Sequence, residues 1–367
     1  MELNKQKAIV AMSGGVDSAA AAVLLGRAGL EVIGVFICMH RQWPEPSAEP
    51  SCSFPPEAAE AQAIAARLGI DFKVLGAKEE MDRIKDAFAS SYGGGRTPNP
   101  CILCNQTIKF GKLFDLADSL GAYYVATGHY AGLVREGGVA SLHRAKAFGK
   151  DQSYALFGVE RTRLERILFP LGEFADKNAV RDIVRAANLE MGDKSESQEI
   201  CFVPEGDYRT VLEGRAEQAL QDGPILDEAG KTLGVHNGYG LFTIGQRRGI
   251  GIAAAMPLYV CGIDAAGRSI TVGPKESLLS AGVRASGANW LQEVPETFRC
   301  TIQIRYNDRG AAGEVKRIGK DRFEAFFDAP ALSVTPGQAA VLYDGSKVLG
   351  GGWIDSAIKR RPCEEKS

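Results

Sequence analysis

Residues 1–205 predict an α/β fold, a doubly wound parallel sheet, and the remainder predicts two β-rich domains. Two observations carry this. In the first part, short apolar runs alternate with helical stripes in β-α-β-α order. Beyond about Gly206 the texture changes to short strand-like runs split by Gly and Asp turns. The second part is read as a small β-rich linking domain over 206–280 and a C-terminal β-barrel over 281–360. A chain of 367 residues exceeds one ordinary core, which fits this division.

The elements follow in order. Lys7–Met12 (KAIVAM) reads as a buried strand and the Ala-rich Ala19–Leu25 as a helix. Glu31–Cys38 is a second strand, Pro56–Leu68 a helix and Ile70–Leu75 a strand. Lys78–Ser91 and Ile108–Leu120 are helical, and Tyr123–Gly128 is a strand. Asp176–Asn188 is a helix that closes the domain. Two stretches break the alternation: His40–Phe54, rich in Pro and Ser, and Tyr92–Gln106, which lacks a helical stripe. Both are expected to be loops. Later strands are expected within Gly230–Val235, Leu258–Val272, Thr301–Tyr306, Phe323–Phe327 and Ala339–Tyr343.

Bulk composition narrows the function classes. Hydrophobic content of 45% and charged content of 24% describe a globular protein. No apolar run reaches a membrane span and the N-terminus lacks a signal-peptide layout, so a cytoplasmic location away from membranes is expected. A net charge of −2 gives no global signature of nucleic-acid binding, so any RNA contact must use a local surface. Eight cysteines in a reducing compartment point to reactive or ligand thiols more than to a disulfide scaffold.

The sharpest local signal is Ser13-Gly14-Gly15-Val16-Asp17-Ser18, between a strand end and a helix start. Unpaired backbone N–H groups and a positive helix dipole suit such a turn to phosphate oxygens. The Lys of a GxxxxGK[ST] loop is missing, which argues against a kinase- or GTPase-type loop. The string resembles the pyrophosphate-binding loop of ATP pyrophosphatases, which split ATP to AMP and pyrophosphate. Cys101 and Cys104 form C-x-x-C, and Cys201 lies in Ser195–Phe202 (SESQEICF). C-x-x-C alone fits redox chemistry, zinc or a cluster. Beside an ATP-pyrophosphatase loop, two thiols on separate segments have a definite use. Adenylation turns a carbonyl oxygen into a leaving group, a persulfide supplies sulfur, and a second thiol resolves the linkage. Cys38, Cys261 and Cys300 sit in apolar runs and read as inert. Cys52 and Cys363 are assigned nothing.

The motifs SGGVDS, Thr97–Asn105 (TPNPCILCN), Thr127–Tyr130 (TGHY), Lys150–Tyr154 (KDQSY), Ser197–Phe202 (SQEICF), Phe242–Arg247 (FTIGQR) and Thr335–Tyr343 (TPGQAAVLY) occur in this order. Together, over essentially the whole chain, they resemble the tRNA-specific 2-thiouridylases of the MnmA type. The resemblance implies an adenine-nucleotide α-hydrolase-like N-terminal sheet. It also implies ATP-dependent thiolation of C2 of the wobble uridine, position 34, of tRNA. Sulfur would come from a cysteine desulfurase through carrier proteins.

Residue by residue, the resemblance implies that Ala11, Met12, Ser13, Gly14, Gly15, Val16, Asp17 and Ser18 hold ATP phosphates, with Asp17 near Mg²⁺. Ile37, with Met39 as the alternative, and Gly128 would line the adenine or ribose site. Cys104 matches the nucleophile and Cys201 the persulfide carrier, and the two could close an alternate disulfide. Asn99, Pro100 and Cys101 match the loop that meets the target base. His129, Lys150, Asp151, Gln152, Arg305, Tyr306 and Gln338 match tRNA contacts. Local roles compete with several of these: a satisfied backbone group for His129, a cap for Asp151 and Gln152, core filling for Tyr306. Arg247 and Arg248 are either phosphate contacts or solvated charge.

One departure matters. Some members of the family carry Asp where this chain has Cys101, so Cys101, Cys104 and Cys201 could instead hold a [4Fe–4S] cluster. A ligase of the same loop class, without thiol chemistry, and a redox-sensing nucleotide-binding module are the other readings.

Overall fold

The computed structural model describes residues 6–42, 58–189, 200–203 and 207–359. The chain divides into two compact units. One comprises 1–83, 101–196 and 346–348; the other comprises 84–100, 197–345 and 349–367.

The first unit is built on a five-stranded parallel sheet of order β3-β2-β1-β4-β7. Its strands are β1 (Lys7–Ala11), β2 (Glu31–Cys38), β3 (Asp71–Gly76), β4 (Tyr124–Ala126) and β7 (Ile167–Leu168). Every pairing in it is parallel. β1 pairs on one side with β2 and on the other with β4, which makes it the strand where the winding reverses. Ligands of such sheets bind at the carboxyl ends beside that point.

Helices α1 (Val16–Arg27) and α2 (Ala59–Leu68) pack on the sheet, and α6 (Lys177–Ala186) packs on α1. The alanines of α1 are buried against Val10, Tyr124 and the valines of α6. Small side chains allow this close packing. Asp176 caps α6, its carboxylate accepting from Asn178 N–H at 3.0 Å. A hairpin, β5 (Gly132–Glu136) and β6 (Val139–His143), follows the sheet and was not foreseen.

The 92–106 segment is a loop only in part. Pro100–Cys104 forms a short helix, α4, continued by a π-helical stretch, Asn105–Lys112, and α5 (Leu113–Ser119). Proline opens α4, a position where its missing N–H costs nothing. The amphipathic stripe starts only at Ile108, which hides α4 from a periodicity reading. α3 (Lys78–Gly93) runs two residues past its expected end. Most of the expected 40–54 loop lies outside the described residues.

In the second unit, a four-stranded sheet has the order β10-β11-β8-β9. Its strands are β8 (Gly223–Leu226), β9 (Thr232–His236), β10 (Tyr259–Asp264) and β11 (Ser269–Gly273). The last domain is a closed six-stranded barrel, β12 (Leu279–Trp290), β13 (Thr297–Gln303), β14 (Ala311–Ile318), β15 (Arg322–Leu332), β16 (Ala339–Asp344) and β17 (Lys347–Ile358). Its order is β12-β15-β14-β13-β16-β17, and β17 pairs back onto β12. Closure removes the unpaired edges an open sheet would expose. Val283, Ile302, Val315, Phe323, Phe327 and Leu342 fill its core. The expected strand 301–306 is shifted: β13 ends at Gln303, and Arg305 and Tyr306 lie beyond it.

Candidate nucleotide and sulfur-transfer site

The 13–18 turn leaves the carboxyl end of β1, anchored by Met12 N–H donating to Val35 carbonyl at 2.8 Å. Gly14 has φ +79°, a conformation that strains any residue with a Cβ. Short-range bonds set the rest. Ser18 Oγ donates to Gly15 carbonyl at 2.9 Å and accepts from Ser13 N–H at 3.3 Å. Gly15 N–H donates to Ser13 Oγ at 3.4 Å. The turn enters α1 with Gly15 as N-cap and no side-chain cap, so the dipole's positive end is open to a ligand.

Gly128 follows β4, adjacent to β1. A Cβ on Gly128 would lie 2.9 Å from Asp17 carbonyl carbon and 3.0 Å from Ser18 nitrogen. Only glycine permits this approach, and it makes a cradle beside the turn that a side chain would fill. Ile37 lies at the carboxyl end of β2, half-buried, and Met39 follows the strand.

Asp17 projects from the first turn of α1. Tyr130 Oη donates to Asp17 Oδ1 at 2.9 Å, and Lys177 Nζ lies 3.4 Å from Oδ2. Neither partner followed from the sequence as a nucleotide-site residue. Tyr130 was visible within TGHY; Lys177, 160 residues away, carried no local signal.

His129 is buried. Thr127 Oγ1 lies 2.7 Å from its Nδ1 and Lys109 Nζ 3.3 Å from its Nε2. An ammonium can only donate, so Nε2 accepts and Nδ1 carries the proton toward Thr127. Burial, and then the Lys109 charge, hold the imidazole well below its usual pKa, hence neutral. Such a histidine supports the strand end; it is not a surface group.

Asp151 is a local hub. Its carboxylate accepts from Arg144 at 3.1 Å, Ala145 N–H at 2.9 Å and Ser153 Oγ at 2.8 Å. Gln152 Oε1 accepts from Tyr130 N–H at 2.9 Å, and Gln152 N–H donates back to Tyr130 carbonyl at 2.8 Å. This pairing fixes the backbone of Tyr130. The KDQSY string thus orders the segment after β4, and the half-buried Lys150 lies on the same turn.

In the second unit, two motifs separated by 240 residues meet. Gln338 Nε2 donates to the carbonyls of Thr97 at 2.9 Å and Pro98 at 3.2 Å, and Thr97 N–H donates to Pro336 carbonyl at 2.9 Å. Gly337 has φ +91°, and a Cβ there would lie 2.9 Å from Thr97 carbonyl. Tyr239 Oη donates to Gly93 carbonyl at 2.7 Å. Gln338 therefore spends its amide holding the loop that leads to Asn99 and Pro100. Arg305 and Tyr306 are exposed, with their carbonyls held by Gln303 Nε2 at 3.0 and 3.1 Å. Exposure rules out core filling for Tyr306. Arg247 and Arg248 are exposed as well.

Cys101 and Cys104 lie on α4, the first exposed and the second buried. Cys201 is exposed on a turn closed by Val203 N–H to Ile200 carbonyl at 2.9 Å. Its neighbour Phe202 packs edge-on against Phe88 of α3, which anchors the turn. Residues 195–199 of that motif lie outside the described residues, as do Cys52 and Cys363. Burial pushes the Cys300 thiol up to about 12 and raises that of Cys261, so neither is a thiolate at neutral pH. Among the described residues no group of three or more His, Cys, Asp or Glu side chains is gathered as a metal site. A magnesium ion that travels with phosphate needs only one or two carboxylates, and Asp17 fits that requirement. Among the described residues no helix is long and apolar enough to cross a membrane.

Comparison with known proteins agrees with this layout. The family model described as tRNA methyl transferase HUP domain matches residues 6–205. That described as tRNA methyl transferase PRC-barrel domain matches 209–274, and the Aminomethyltransferase beta-barrel domain matches 280–354. The tRNA-specific 2-thiouridylase MnmA of Carboxydothermus hydrogenoformans is 42% identical over 363 residues, covering 97% of this chain and 99% of its own. That of Geobacter metallireducens is 43% identical over 364 residues, with the same coverage. The chain belongs to the MnmA family. As an MnmA-family chain it joins a HUP-type nucleotide sheet, a PRC-barrel-like middle domain and a closed β-barrel.

Proposed function

We propose that the chain is an ATP-dependent tRNA-uridine 2-sulfurtransferase acting on the wobble uridine, position 34. The observation that carries this is near-complete, full-length likeness to tRNA-specific 2-thiouridylases in a chain that keeps both the phosphate turn and the thiols at 104 and 201. The domain bounds we assign are 1–205 for catalysis, 206–280 for the linking domain and 281–360 for the barrel that contacts tRNA.

In this reading Ala11–Ser18 hold the triphosphate, and Ile37 and Gly128 hold the adenosine. Asp17 would hold Mg²⁺, which supplies charge neutralisation on the phosphates. The C2 oxygen of the uridine attacks the α-phosphorus and pyrophosphate leaves, so the oxygen becomes part of an AMP leaving group. A persulfide on Cys201, loaded by a cysteine desulfurase or a sulfur-carrier protein, attacks C2 through its terminal sulfur, loses its proton and expels AMP. The Cys104 thiolate then attacks Cys201 Sγ. The S–S bond breaks, its electron pair goes to the thiolated base, and a Cys104–Cys201 disulfide forms. An external dithiol reduces that disulfide for the next cycle. No step is routed through an iron–sulfur cluster. Asn99, Pro100 and Cys101 present the base. His129, Lys150, Asp151, Gln152, Arg305, Tyr306 and Gln338 contact tRNA, and the hydrogen bonds of Asp151, Gln152 and Gln338 order the segments that carry them. The exposure of Cys201 supports delivery by a second protein. A cytoplasmic location follows from the same chemistry, since the thiols need a reducing compartment.

Nucleoside mass spectrometry of tRNA incubated with the protein, ATP, magnesium and a persulfide donor tests this. 2-Thiouridine should appear only in the complete mixture, with AMP and pyrophosphate released in step with it. ATP turnover indifferent to tRNA would refute the assignment.

A further inference from the structure

We infer that Lys177 is a polyphosphate ligand whose charge Asp17 masks until a divalent cation takes the carboxylate. This rests on the ATP-dependent reading above and deepens it.

The 13–18 turn presents a conflict. Its backbone suits an anion, yet two carboxylates stand at it. Asp17 occupies the first turn of α1. Glu60, in the first turn of α2, packs so closely that a Cβ on Gly14 would lie 3.1 Å from its Cβ and 3.2 Å from its Oε2. Against these stands the ammonium of Lys177, 3.4 Å from Asp17 Oδ2. The Asp17 carboxylate repels phosphate oxygens and at the same time engages the ammonium, which disfavours a bare polyphosphate. A dication on Asp17 changes both terms: it cancels the carboxylate and frees the ammonium from its counter-ion.

Lys177 is placed to respond. It is the first residue of α6, just after the Asp176 cap, and α6 packs on α1 through Val180 and Val184. Its side chain is only 14% exposed, which keeps the ammonium beside the turn. Tyr130 Oη, on the other carboxylate oxygen at 2.9 Å, keeps Asp17 in place while its partner changes. Lysine, a flexible point charge, suits such an exchange better than a planar fork would. A merely structural ion pair at a surface is worth little and would leave metal dependence untouched.

Equilibrium binding of ATP, inorganic pyrophosphate and AMP to the full chain, with magnesium and with chelator, decides the matter for wild type, Lys177→Met, Lys177→Arg and Asp17→Asn. With magnesium, Lys177→Met should weaken ATP and pyrophosphate about ten- to hundredfold and leave AMP unchanged, since a charge-assisted bond to phosphate is lost. Lys177→Arg should restore most of that affinity. Asp17→Asn should bind metal-free ATP about tenfold more tightly than wild type does, and gain nothing from magnesium. Lys177→Met matching wild type for magnesium-ATP, or Asp17→Asn showing no metal-free gain, overturns the inference while the nucleotide reading stands. Wild type failing to bind ATP under either condition overturns both. Thermal unfolding identifies a misfolded Lys177→Met, in which case the arginine and asparagine arms decide.

Discussion

The 13–18 turn and the 93–100 loop are held in opposite ways. The first is closed by bonds spanning two to five residues, among Ser13, Gly15 and Ser18. The second takes its shape from remote residues: Tyr239, Pro336 and Gln338 bond to it across 146 to 241 positions. A locally closed turn survives changes elsewhere in the chain. A remotely held loop reports the state of the domains that hold it. Phosphate binding is thus expected to be robust, and base presentation to depend on the β-rich domains.

The largest effect separates the two tasks at the thiols. Cys201→Ser should cut thiolation by about a thousandfold or more, because the hydroxyl cannot carry a sulfane sulfur. ATP affinity should not change. Nucleoside analysis beside nucleotide binding measures both; thiolation persisting in the variant would break the division. Gly128→Val comes next. Its side chain would enter backbone of Asp17 and Ser18 that has no room to yield, so ATP affinity should fall about ten- to hundredfold with tRNA affinity intact. Unaltered ATP binding would show that the strand-end approach does not shape the nucleotide site. Gln338→Leu is third. It strips two bonds from Thr97 and Pro98 carbonyls, a loss of about 1–3 kcal/mol to the loop. Turnover should drop about tenfold at saturating ATP, with faster hydrogen exchange at 97–100. Slower exchange, or equal turnover, would mean the loop is held otherwise.

The same contrast explains what was legible in the sequence. The glycine turn and the parallel sheet were readable because their signals are contiguous: an apolar run and a Gly pair. The barrel was legible as a texture of short strands, its closure was not, since β17 returning to β12 is a property of register. Helix α4 was missed because five residues offer no period. Lys177 and Lys109 were missed because one lysine among many gains meaning only from what folding puts beside it. Asp151 and Gln338 were found as motif residues, but the partners of their side chains within the chain were not. Motif membership marks them, and only the hydrogen bonds show that their polar atoms face inward.

The smallest effect concerns how firmly the strand end beside the phosphate turn is built. His129 is neutral in the folded state, its pKa held well below 6.5 by burial and by Lys109. Unfolded, the imidazole titrates near its ordinary value of about 6.5. Below that pH the unfolded chain therefore binds a proton that the folded chain refuses. Stability rises with pH wherever the unfolded state holds more protons, so it must fall as pH drops from about 6.5 toward the depressed folded value. His143 and His236 are lowered too and share the window, so the decisive quantity is a difference. His129→Gln keeps an acceptor for Lys109 and removes the titration. Thermal unfolding between about pH 7 and pH 5 should show a steeper acid loss for wild type than for the variant. Parallel acid limbs would mean that the strand end relaxes to admit the proton, and that the side of the molecule carrying the phosphate turn is softer than its short-range bonds imply.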